Sequence, residues 1–120
     1  MEGREPKMDN DIFFVCSLID YIARKTKNKR KTVVNAIGKE KLSHIYSLAD
    51  VYHCENIDKI SDELIENYNI KNGDFDNVND CRYDVPTYWD IGKVYKRLIV
   101  ELCKNNKKEP IDTLIEVYNS

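Results

Sequence analysis

The apolar residues of this chain return every third or fourth position, segment after segment, and that spacing confines most of it to helices. In LSHIYSLADVYH they fall at Leu42, Ile45, Tyr46, Leu48, Ala49 and Tyr52, on one broad face of an α-helix. Ile57, Ile60, Leu64, Ile65 and Tyr68 repeat the pattern. So do Ile91, Val94, Tyr95, Leu98, Ile99 and Leu102, and then Ile111, Leu114, Ile115 and Tyr118. The earliest segment, with Ile12, Phe13, Val15, Cys16, Ile19, Tyr21, Ile22 and Ala23, is nearly continuous and predicts a helix buried on more than one side. The segment Leu42 to His53 is expected at the centre of the core. Only three Pro and four Gly interrupt the chain, which favours helices over a turn-rich β fold.

Local chemistry marks the helix ends. Asp9 or Asn10 can cap the first helix and Asn56 the one at Ile57. Gly38 stands where a C′ glycine ends a short helix carrying Val33, Val34 and Ile37. Thr87 and Asp90 form a capping box, and Pro110 suits the first turn of the last helix. The expected fold is all-α: a single compact bundle of about six helices over residues 9–120, after a mobile tail at 1–8. The bundle carries one long irregular loop, about 71–86, with Phe75, Val78, Tyr83 and Val85 as its anchors to the core. At 120 residues the chain has the length of one domain, for which roughly 100–200 residues is usual.

The N-terminus MEGREPKMDN lacks an apolar leader segment. The longest apolar run, Ile12 to Cys16, is far short of the ~20 residues of a membrane span. A cytoplasmic location is expected, with Cys16, Cys54, Cys81 and Cys103 reduced. No C-x-x-C pair stands with His44 and His53, so no metal site is expected. The acids of KNGDFDNVNDCRYDVP suggest a calcium loop. Counting from Asp74 puts Val78 at the fifth position, Asn79 at the sixth and Val85 at the twelfth, which removes the EF-hand ligands and glycine.

No G-x-S-x-G, H-E-x-x-H, phosphate loop or glycine-rich dinucleotide turn is present. The chain is therefore expected to be no enzyme and to need no cofactor. Three features remain as candidate contacts. Tyr83, Tyr88 and Trp89 gather large amphipathic side chains of the kind favoured at interfaces. The outer face of the helix at Asp58, Asp62 and Glu66 is acidic and would complement a basic partner protein. The run RKTKNKRK supplies Arg24, Lys25, Lys27, Lys29, Arg30 and Lys31, either as a solvated helix end or as a phosphate-binding patch. With the glycine-linked helices that follow, it sketches a helix-turn-helix, the alternative nucleic-acid-binding reading. The net charge of −2 argues against nucleic acid covering the whole surface.

FFVCSLIDY at Phe13–Tyr21, TVVNAI at Thr32–Ile37 and LSHIYSLADVYH at Leu42–His53 together resemble a family of small uncharacterised bacterial proteins. Its members are often encoded beside ADP-ribosyltransferase-like toxins. The resemblance spans about Phe13 to Ile70; the segment Gly73 to Ser120 has no counterpart in the shorter members. It implies a toxin–antitoxin or defence context, with this chain as an antitoxin-like or accessory subunit binding a toxin encoded nearby. It supplies no catalytic residues.

Overall fold

The computed structural model of the chain describes residues 7–52, 55–75 and 87–120. The described residues form six helices: α1 (Lys7–Thr26), α2 (Arg30–Ser47), α3 (Ala49–Tyr52), α4 (Ile57–Asn67), α5 (Tyr88–Asn106) and α6 (Pro110–Asn119). Among the described residues there is no strand. Nor is any helix there long and apolar enough to cross a membrane.

The bundle is built around α1, which packs against α2, α3, α4 and α5, while α6 closes the far side against α2 and α5. Ile12, Phe14, Val15, Cys16, Leu18, Ile19, Ile22 and Ala23 are all buried. These residues surround the α1 axis, and a helix apolar on every side must be covered on every side. Its start at Lys7 places Met8 in the helix and partly against the core.

The expectation that Leu42–His53 forms one central helix is corrected. Leu42, Ile45 and Ala49 are buried, but Leu48 and Val51 are exposed. The chain leaves helical geometry at Leu48 (φ −110°, ψ 17°), so α2 stops at Ser47 and α3 is a single turn. Ser47 Oγ donates to the His44 carbonyl at 2.7 Å, a local bond of the kind that competes with continued helix. Within α2, Gly38 breaks the helix with φ 85°, a conformation glycine enters without steric cost.

α1 and α5 run antiparallel: Tyr88 meets Tyr21, Gly92 meets Ser17, and Lys96 reaches toward Asp9. Gly92 is the crossing point. A Cβ there would lie 2.9 Å from the Ser17 nitrogen and 3.0 Å from its Cα. Alanine should gain up to about 1 kcal/mol in helix propensity. Overpacking against backbone costs about 1–3 kcal/mol. Gly92→Ala is therefore expected to lower stability in urea melts; a gain would show that the helices cross less closely.

The inward face of α5 also differs from its expected stripe. Gly92, Ile99, Val100 and Cys103 are buried, whereas Val94 is 60% and Leu98 48% exposed. The helix is turned by about one residue, ~100°, from the face that the apolar pattern suggested. Two partners set this turn: Ser17 below Gly92, and the Tyr118 ring of α6, which stacks on Tyr95 with centroids 4.4 Å apart.

Residues 71–75 are held against the α1–α2 turn by two main-chain bonds and one side-chain bond. Gly73 N donates to Thr26 O at 2.8 Å, Phe75 N to Lys27 O at 3.0 Å, and Asn28 Nδ2 to Lys71 O at 2.8 Å. Phe75 was expected to anchor this segment through its side chain, but the ring is exposed and lies under Lys29 Nζ at 5.7 Å. Val78, Tyr83 and Val85 lie outside the described residues.

Candidate functional site

The capping box places the aromatic pair. Thr87 Oγ1 accepts from Asp90 N at 3.1 Å, and Asp90 Oδ2 accepts from Thr87 N at 3.4 Å. This starts α5 at Tyr88 and puts Tyr88 and Trp89 in its first turn. Tyr88 meets the Tyr21 ring edge-on at 4.8 Å, and Trp89 leans on Phe13 at 5.5 Å and on Tyr88 at 5.0 Å. These are ordinary attractive aromatic separations. Trp89 nonetheless keeps 40% of its surface exposed.

Trp89 helps line a cleft of about 360 Å³, bounded among the described residues by Asn10, Asp11, Phe13, Phe14, Ala49, Asp50 and Trp89. α1 supplies its floor, α3 one wall and the start of α5 the other. Two of the lining acids meet the Lys7 ammonium, 2.6 Å from Asp11 Oδ2 and 3.1 Å from Asp50 Oδ2. Hydrogen bonds to Asp11 and then Asp50 hold the Lys7 pKa above its ordinary value. Tyr83, expected beside Tyr88 and Trp89, lies outside the described residues.

The other two candidate surfaces meet each other. Lys25 of the basic run lies between Asp58 Oδ1 at 2.6 Å and Asp62 Oδ1 at 2.5 Å, on the acidic face of α4. Tyr21 Oη donates to the same Asp58 oxygen at 2.7 Å. Glu66 is exposed farther along α4. Hydrogen bonds from Lys25 and Tyr21 depress the Asp58 pKa, and those two carboxylates raise that of Lys25.

The signs of these shifts give a pH window. A depressed Asp58 contributes stability above the unfolded value of about 3.9, lost as pH falls through its folded value. A raised Lys25 contributes below about 10.4, lost as pH rises through its folded value. Lys25→Met should therefore lower the melting temperature slightly at pH 7, since the pairs are exposed. The difference from the parent should fade below about pH 4. A deficit undiminished at pH 3 would assign the effect to packing of the lysine stem.

Arg24 and Arg30 turn inward. Arg30 Nε lies 2.5 Å from Asp20 Oδ1 and Arg24 Nε 2.8 Å from Asp20 Oδ2, and the Asp20 side chain is fully buried. The Arg30 guanidinium also covers the Tyr95 ring at 5.6 Å. Of the basic run, Lys27, Lys29 and Lys31 are left at the exposed surface, Lys29 over Phe75. The run is thus divided between a buried acid, an acidic helix and solvent.

Asp11 and Asp20, the two buried acids of α1, were not among the sequence candidates. Their signal was their position: acids inside an otherwise apolar helix need partners. The buried Cys16 thiol is pushed up to about 12 by desolvation, which leaves it protonated and unreactive at neutral pH. His44 is exposed, and His53, Cys54 and Cys81 lie outside the described residues. No family model, curated protein or solved structure matches the chain.

Proposed function

We propose that the protein is a non-enzymatic, cytoplasmic interaction module that binds another protein through the cleft at Trp89. In the setting implied by the resemblance, it acts as an antitoxin-like or accessory subunit of a toxin encoded beside it. The observation that carries this reading is Trp89 itself. It is a large ring packed against Phe13 and Tyr88, open over 40% of its surface, in the lining of a cleft. A prepositioned aromatic side chain binds with little further loss of freedom, and such anchors dominate interface energies.

Trp89→Ala should weaken binding to the neighbouring gene product by at least about 2 kcal/mol, roughly 30-fold. Titration calorimetry measures the affinity, and a thermal melt of the variant alone establishes that the fold survives. Trp89→Phe, which keeps a ring on Phe13, should lose less. Unchanged affinity in a folded Trp89→Ala variant would overturn the reading.

A further inference from the structure

We infer that the outer face of α5 binds a second copy of this chain, with the two α5 helices antiparallel about a two-fold axis beside Leu98. Val94 and Leu98 are large and apolar, yet 60% and 48% exposed. The half-buried Leu102 continues the stripe one turn on. A helix on the surface of a bundle normally turns such residues inward. Beside the stripe, Leu98, Leu102 and Val117 line part of a groove of about 340 Å³ between α5 and α6. Contiguous exposed apolar surface marks contact sites. This face is separate from the Trp89 cleft, since the spacing from Trp89 to Leu98 puts them about 180° apart round the helix.

The charge pattern selects a copy of the same chain. Arg97 and Glu101 are exposed one turn apart, and among the described residues neither takes part in an ion pair. Arg97 precedes Glu101, the less favourable order for a pair within one helix. Both lie on the same side of the stripe, about 100° and 60° round the helix from Leu98, while Lys104 and Lys93 lie farther round, at about 120° and 140°. A two-fold axis perpendicular to α5, passing between residues 98 and 99, reverses the helix and keeps that side facing itself. Arg97 of each copy then stands opposite Glu101 of the other. The same axis sets Val94 across from Leu102, and Leu98 across from its own copy, to within a residue. The apolar stripe and the charge pair thus share one centre. Such a contact is isologous, so both ion pairs form together and the assembly closes at two.

One helix face is a small contact, under about 1,200 Å² of total buried surface, so the dimer should be weak, with a Kd on the order of 100 µM. At the ~5 µM of a denaturant melt the chain is then monomeric, and Leu98 reports there on the monomer. Sedimentation equilibrium of the full chain at low salt, from about 10 µM to 1 mM, should show a reversible monomer–dimer equilibrium. Leu98→Asp should weaken it at least about tenfold by placing a charge at the axis of each copy. Arg97→Glu and Glu101→Arg should each weaken it at least about tenfold, because each gathers like charges across the axis. An equimolar mixture of those two variants should associate about as well as the parent, since each supplies the charge the other lacks. All three positions are exposed, and thermal melts establish that each variant is folded.

A parent chain monomeric throughout this range would overturn the inference and leave the face to a different protein. A dimer indifferent to Leu98→Asp would overturn it by placing the contact elsewhere. A mixture that associates no better than either charge variant alone would overturn it as well, because no two-fold axis beside Leu98 would then bring Arg97 to Glu101. None of these outcomes depends on what the Trp89 cleft binds.

Discussion

Replacing Arg24 and Arg30 together by alanine should cost the fold about 3–5 kcal/mol, the usual cost of stranding a buried charge. Each arginine Nε lies against one oxygen of Asp20, at 2.8 and 2.5 Å, and the carboxylate is fully buried. With both gone, the carboxylate remains inside α1 without a cation. Either single replacement should cost less, because the other arginine stays. The Arg30 change should be the larger of the two, since it also removes the cation held over Tyr95. Replacing Asp20 by leucine in the double variant should recover much of the loss, because an apolar substitute for a whole buried ion cluster is often neutral or better. Urea melts of the four variants measure this. A double variant within about 1 kcal/mol of the parent would show that the Asp20 carboxylate reaches water.

Ile45→Ala should cost about 2–5 kcal/mol and Leu98→Ala less than about 1 kcal/mol. Their apolar periodicity alone treats the two as equals. Ile45 is 1% exposed in the core beneath α2, so its truncation leaves a cavity. Leu98 is 48% exposed on the outer side of α5, where loss of methyl groups leaves water in their place. Equal losses in the same denaturant series would place Leu98 against the core and return α5 to the face expected from its sequence.

The helix starts that were legible in the sequence depend on a few adjacent residues. Asn56 accepts from Asp58 N, Thr87 and Asp90 cap each other, and Pro110 opens α6. Such bonds span at most one turn, so the residues that make them are also the residues that announce them. Gly38 belongs with them, because a positive φ is a local demand. The candidate aromatics Tyr88 and Trp89 were legible for a related reason: their chemistry is individual, and the capping box fixes their place in the first turn of α5.

Pairing between elements was decided by the tertiary structure. The basic run and the acidic face of α4 each looked like a surface for a partner. Lys25 instead meets Asp58 and Asp62, 33 and 37 residues away in the chain, and each surface takes up part of the other's charge. The rotation of α5 followed from Ser17 and Tyr118, which periodicity within α5 cannot register. The cleft is the same kind of object: Asp11, Asp50 and Trp89 come from α1, α3 and α5, and none of these segments carries a cleft by itself. By itself the sequence determined that helices form and where several of them begin, because hydrogen bonds within a turn and apolar spacing along a turn are local. Which side of each helix faces inward, and which charges meet, is settled only when several helices compete to cover α1, because burial and pairing are properties of the whole bundle.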